Sequence, residues 1–202
     1  MANTVSIYPA HSAVLSMDMQ TGIVSVYAKD QKGFPERAAS VLARARELKM
    51  KVIHVKVGFR KGVPEIGAGT ARNPLFASIK NSAEHQRFFE GDSGAIHPAL
   101  GPAAEDIVIA KHRISAFTGT DLEMILRANE IDTLVLFGIA TSGVVLSTLC
   151  DAADMDYRLV VVKDCCADSD AGLHTALIEK FFPMRGTVIS AAEFLAALAP
   201  SA

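Results

Sequence analysis

The 202-residue sequence is short of cysteine, of surplus basic charge and of long apolar runs, and each shortage removes a class of protein. Three cysteines, Cys150, Cys165 and Cys166, fit no disulfide framework and no zinc spacing; they suit a reducing compartment where thiols stay free. A net charge of −2 leaves no basic footprint for nucleic acid. Asp, Lys and Arg break every apolar run well before it reaches a membrane-spanning length. The N-terminus lacks a charged segment followed by a long apolar one, so no signal peptide is read there. The expectation is a cytoplasmic protein without membrane or nucleic-acid partners. No internal repeat or linker interrupts the chain, which points to one domain over 1–202.

What is present is an alternation of strands and helices. Residues 13–19 read as a first strand that is mostly apolar but delivers a carboxylate, Asp18, at its end, with Gln20 two residues on. Pro35 and Glu36 suit the first turn of a helix whose stripe is Val41, Leu42, Ala45 and Leu48. Residues 51–57 form a second strand carrying His54, read as a packed histidine because no ligand cluster surrounds it. Residues 106–111 make a third strand ending on Lys111, with 112–117 continuing it and Thr120 or Asp121 capping a helix to Ala128. The run from Leu134 to Phe137 ends at Gly138 and passes into a helix over 142–154. A strand over 158–163, a helix from Asp170 or Ala171 to Phe182, a short strand over 187–189 and a helix over 191–199 complete the series. Strands alternating with helices throughout predict a doubly wound, parallel α/β sheet.

Residues 58–102 are the least regular part, broken by seven glycines and four prolines, with one short helix predicted over 73–80. A segment of that kind is usually a lid or binding loop. The polar groups it could bring over a site are Arg60, Arg72, Asn73, His85, Gln86 and Arg87.

Open α/β sheets bind ligands beyond the carboxyl ends of their strands, and three such ends carry chemistry. These are Asp18, Lys111, and the backbone amides from Thr141 to Val144, where a strand runs onto a helix N-terminus. A carboxylate beside an ammonium can act as an acid–base pair, and amides at that junction could hold an oxyanion. The plainer alternatives are that Asp18 caps the next helix and that the junction is an ordinary strand-to-helix turn.

Three segments in this order resemble the isochorismatase-like hydrolases, which include nicotinamidases and related cysteine amidohydrolases. They are Asp18-Met19-Gln20, then Lys111-His112-Arg113-Ile114-Ser115-Ala116-Phe117, then Gly138-Ile139-Ala140-Thr141 running on to Cys150-Asp151-Ala152. The resemblance covers nearly the whole chain. It implies a three-layer α/β/α sandwich with a six-stranded parallel sheet, Asp18 as catalytic carboxylate and Lys111 as its partner. It also implies an oxyanion-holding turn at Ala140, Thr141, Gly143 and Val144, with a cis Ala140–Thr141 peptide. Gln20, Arg60 and Phe117 are the expected substrate contacts. No cofactor or metal is implied, and members are commonly dimers or tetramers.

Members with a cysteine nucleophile carry it six residues after the glycine and seven before the Asp-Ala pair. Both counts arrive at position 144, which here is valine. Cys150 lies about 240° further round the helix and ~9 Å along it, so it faces away. Cys165 and Cys166 end another strand, Ser147 and Thr148 sit a turn deeper, and Ser142 has no visible histidine partner. The isochorismatases proper lack the cysteine and hydrolyse a vinyl ether by protonation and water addition, although they carry glycine at this position. The expectation is therefore a hydrolase acting on a small, anionic molecule by acid–base chemistry at Asp18 and Lys111. The alternative is a non-catalytic relative that binds a small molecule or partner in the same pocket.

Overall fold

A computed structural model describes residues 7–197. The last two residues of the helix expected over 191–199, and the first six of the segment read for a leader, lie outside them. Six strands form one sheet, every pair parallel: β1 (Ser12–Met17), β2 (Lys51–Val57), β3 (Ile107–Lys111), β4 (Thr133–Ile139), β5 (Arg158–Ala167) and β6 (Thr187–Ile189). The helices in chain order are α1 (Thr21–Tyr27), α2 (Phe34–Glu47), α3 (Pro74–Asn81), α4 (Ala83–Arg87), α5 (Gly91–Gly94), α6 (Leu122–Ala128), α7 (Leu146–Asp154), α8 (Ala171–Ala176) and α9 (Ala191–Ala197). They cover both faces of the sheet, giving the expected α/β/α sandwich. Among the described residues no helix is long and apolar enough to cross a membrane.

The strand order is β3-β2-β1-β4-β5-β6. The chain builds outward from β1 to β3, then returns to lay β4 on the other side of β1. That reversal opens a crevice beyond the carboxyl ends of β1 and β4, the usual ligand position in such sheets. Every residue of β1 and β4 is buried, which explains their mostly apolar sequence. The α2 stripe buries Phe34, Ala38, Val41, Leu42 and Ala45, and Pro35 sits in the first turn as its fixed φ prefers.

Several boundaries differ from those expected. β1 stops at Met17, because Asp18 takes φ +54 and turns the chain so that Gln20 drops between β2 and α5. The turn leads into α1, which had no clear sequence signal. Residues 112–117 leave the sheet. Side chains rather than a strand partner hold them: Thr148 Oγ1 accepts from the Ala116 amide, and Ser115 Oγ donates to Asp151. β5 runs four residues beyond the predicted Lys163. The helix expected through Phe182 loosens into a wide turn at Leu177–Phe181, because Pro183 has no amide proton to continue it.

His54 is packed, as read: it is buried and its Nε2 lies 3.1 Å from Asp106 Oδ2. The same carboxylate accepts from Arg46 at 2.6 Å and from the Ala103 amide at 2.9 Å.

Candidate active site

The strand ends bring Asp18 and Lys111 together across the end of β2. Lys111 Nζ lies 2.8 Å from Asp18 Oδ2 and donates a second bond to the Arg113 carbonyl at 3.0 Å. Both side chains are buried, and Asp18 Oδ1 has no hydrogen-bond partner within the described residues. The Asp18 amide is anchored to the Val55 carbonyl at 2.7 Å, so the carboxyl is aimed by the sheet itself. Asp18 does not cap α1; that place belongs to Gln20, which makes no side-chain cap. Burial raises the Asp18 pKa above the usual carboxyl value, and the Lys111 ammonium opposes that rise without cancelling it.

The pair forms part of the wall of a cavity of about 300 Å³. Ala140, Ser142, Gly143 and Val144 border it from the end of β4. Much of its remaining surface comes from the irregular segment, but not from the polar groups expected there. Phe59, Phe76, Phe88 and Phe89 line it, together with Tyr27 from α1. A segment without periodic structure buries its largest apolar side chains first, and here they close over the crevice. The polar candidates are engaged elsewhere. Arg60 points outward and pairs with Glu65 at 2.7 Å, Asn73 caps α3, His85 meets Ser78, and Gln86 donates to the Ile79 and Lys80 carbonyls. Arg72 and Arg87 do not line the cavity.

Two further expected contacts are structural. The Gln20 amide accepts from the Val57 N–H and donates to the Val57 and Gly94 carbonyls, locking α5 to β2. Phe117 stacks on Tyr157 away from the cavity. A residue not singled out, Arg113, does line the cavity; its guanidinium lies 5.2 Å over the Phe76 ring and bonds the Glu65 carbonyl. Its place two residues after Lys111 was the available signal.

The junction after β4 is a wide turn, Thr141–Val145, leading into α7. Val144 faces the cavity at the position where the resemblance puts a nucleophile. The cis peptide is Ile139–Ala140, one bond earlier than the expected Ala140–Thr141. Ile139 is the last ladder residue of β4, paired with Ala167, so Thr141 already belongs to the turn. The Thr141 hydroxyl donates to the Ala167 carbonyl at 3.1 Å and meets His174 Nδ1 at 2.8 Å, outside the cavity. Two amides of the expected anion cradle are occupied: Ser142 donates to Asp168 Oδ2 at 2.7 Å, and Gly143 to the Ala140 carbonyl at 3.1 Å.

None of the three cysteines lines the cavity. Cys165 and Cys166 are buried, and burial pushes both thiols up, Cys166 to about 12. Thr148 accepts from Ala116, and the nearby histidine serves Thr141 rather than Ser142. Among the described residues no group of three His, Cys, Asp or Glu side chains could hold a metal ion.

The sheet order, with the buried Asp18–Lys111 pair at its reversal, defines a doubly wound α/β protein. The Isochorismatase domain model matches residues 12–193, and the chain belongs to that family of hydrolases. It is 33% identical to an uncharacterized isochorismatase family protein, YecD, of Escherichia coli O157:H7, over 93% of this chain and 96% of that one. It is 28% identical to maleamate amidohydrolase of Pseudomonas putida, over 88% and 82% of the two chains. The structure of an isochorismatase family protein from Burkholderia thailandensis superposes with a TM-score of 0.79 at 30% identity, covering 96% and 97%.

Proposed function

We propose that this chain hydrolyses a small anionic molecule at Asp18 and Lys111 with no covalent intermediate at position 144. The observation that carries the reading is the 2.8 Å Asp18–Lys111 pair, buried in a cavity where Val144 occupies the nucleophile's place. A carboxyl whose pKa burial has raised keeps its proton where an ordinary one would lose it, and so can serve as a general acid. Asp18 lines the cavity, and its Oδ1 is not engaged by Lys111, which leaves that oxygen for the proton transfer. Lys111 holds Oδ2, fixes the orientation of the carboxyl and supplies positive charge for an anionic group.

Two bond types suit this arrangement. With a vinyl ether, Asp18 gives its proton to the enol carbon, and water adds to the resulting oxygen-stabilised cation and returns a proton to the Asp18 carboxylate. The hemiketal then collapses to carbonyl and alcohol as that proton passes to the departing oxygen. With a C–N bond, ionised Asp18 takes a proton from the attacking water and returns it to the departing nitrogen. Similarity to a maleamate amidohydrolase supports testing the second, and the absent thiol supports the first.

Asp18→Asn keeps the shape of the side chain and removes its proton chemistry. The expected result is loss of turnover by at least ~10²-fold, the usual scale for a general acid or base, with an unchanged circular dichroism spectrum. Maleamate and isochorismate are the first substrates to assay. Retained turnover in a folded Asp18→Asn protein overturns the assignment. Val144 also favours a second reading, a non-catalytic relative that binds a small molecule in this cavity; it predicts binding without turnover in the unmodified chain.

A further inference from the structure

The cavity at Asp18 has a neighbour across its aromatic wall. Tyr27, Leu75, Ile79, Phe88 and Phe89 border it, and the same five residues border a second groove of about 300 Å³. This outer groove lies among α1, α3 and α4, and Val26, Ser78 and His85 complete its lining. Two of its polar side chains meet, Ser78 Oγ lying 2.8 Å from His85 Nδ1. Apart from the Tyr27 hydroxyl and the second ring nitrogen of His85, the groove presents no polar side-chain atom in want of a partner, and it holds no carboxylate, ammonium or guanidinium. Val26 and Leu75 stand at its edge 52% and 51% exposed, the apolar side chains of α1 and α3 that the fold leaves to solvent.

The geometry points to a substrate in two parts: an anionic head at Lys111 and Asp18, and an unbranched hydrocarbon tail laid over the shared aromatic wall into the outer groove. The inference rests on the Asp18–Lys111 reading for the place of the head; the tail is argued from the groove alone. All the charge lies at one end, Asp18, Lys111 and Arg113, while the other end offers only ring faces and aliphatic carbon. A compact polar molecule fills the first cavity and leaves the half-exposed Val26 and Leu75 wet. A tail of several methylenes covers them, and apolar area removed from water favours that arrangement. The five lining residues common to both place the two cavities side by side, which commits the groove to the same ligand rather than to a separate one.

The test is a calorimetric titration of the unmodified chain with butanoate, hexanoate, octanoate and decanoate. A fully buried methylene is worth about fourfold in affinity, and an open groove gives about two- to threefold. Affinity should therefore rise about tenfold or more from butanoate to octanoate and level off once the groove is full. Val26→Asp alters a half-exposed position outside the first cavity and should flatten this dependence while leaving butanoate affinity within twofold; Leu75→Asp, on the wall the two cavities share, should lower octanoate affinity. Equal affinity for butanoate and octanoate, no octanoate binding at millimolar concentration, or an octanoate affinity unchanged by Leu75→Asp overturns the inference. So does sedimentation showing a dimer that Leu75→Asp dissociates with octanoate binding intact, because the groove would then belong to a second copy of the chain. These outcomes leave the Asp18 reading standing, since that reading falls only on turnover by Asp18→Asn.

Discussion

Lys111 Nζ and Asp18 Oδ2 lie 2.8 Å apart with hardly any water access to either side chain. Burial favours the neutral carboxyl, the ammonium favours the ionised one, and burial is the larger effect. Removing one partner of such a pair typically costs about 3–5 kcal/mol, because the other charge is left buried alone.

Lys111→Met should show both consequences. Without the ammonium the Asp18 pKa climbs further above 3.8, its unperturbed value. A carboxyl with a raised folded-state pKa holds more protons in the folded chain than in the unfolded one. Stability is then fullest below 3.8 and falls as pH rises towards the folded value. The deficit of Lys111→Met should be small at pH 4 and about 3 kcal/mol near pH 8, measured by urea unfolding. If Asp18 acts as the acid, the alkaline limb of kcat/KM should also move to higher pH in this variant. A deficit independent of pH would contradict the coupling.

Val144→Cys places a thiol on the cavity wall where the chain has none. Cys165 and Cys166 are buried with their thiols held protonated, and Cys150 lies outside the cavity. Iodoacetamide should leave the turnover of the unmodified chain unchanged. In Val144→Cys it should modify residue 144, identified by peptide mass spectrometry, and block ligand binding by filling the cavity. Inactivation of the unmodified chain would mean that one of its own cysteines takes part.

His174 ties α8 to the turn beneath the cavity through the Thr141 hydroxyl at 2.8 Å. Burial lowers its pKa below 6.5, and the Asp168 carboxylate works against that shift. The folded chain then binds fewer protons here than the unfolded chain. This contribution is full above 6.5 and is lost as pH falls through the window below it. His54, buried against Asp106 and near Arg46, has the same sign. Between pH 7.5 and 5 the melting temperature of the unmodified chain should fall relative to that of His174→Gln, because the His54 fall and the opposing Asp18 rise are common to both and only the His174 share differs. An identical slope in the variant would show that His174 does not titrate differently on folding.

The parts of this site legible in the sequence were those fixed by strand ends. Asp18 and Lys111 each follow a mostly apolar run, and parallel pairing puts all carboxyl ends on one edge, so their meeting follows from topology. Position 144 was legible through the family resemblance, whose nucleophile keeps a set spacing to the residues matching Gly138 and Asp151. Gln20, Arg60 and Phe117 show where such reasoning stops. Their side chains could equally satisfy backbone groups, an outward ion pair or a packing gap, and alternation alone does not choose among these. The aromatic wall was hidden for a related reason: Phe59, Phe76, Phe88 and Phe89 lie in a segment with no period, so nothing local marks which way they face. Composition gave the better clue there, since apolar side chains in an irregular segment need a surface to cover.

Gly138 is where the strand is re-aimed at the cavity, and its replacement tests that role. The β4–β5 register shifts between Leu136 and Gly138, a bulge of the kind that bends a strand and redirects the residues after it. Gly138 has φ +150, and a Cβ built on it would overlap the Met17 carbonyl of the neighbouring strand. That oxygen belongs to the backbone immediately before Asp18, so it cannot swing aside as a flexible side chain would. Gly138→Ala should destabilise by about 3 kcal/mol, the upper end for forced overpacking, lowering the melting temperature by roughly 6–12 °C in a domain of this size. Because the displaced backbone carries Asp18, turnover should fall more than the lost stability accounts for at a temperature where the variant is still folded. Gly67→Ala, where an added Cβ meets nothing within 4 Å, is the control and should melt with the unmodified chain. A Gly138→Ala protein with normal melting and turnover would show that β1 and β4 can separate at this point without disturbing the Asp18–Lys111 pair.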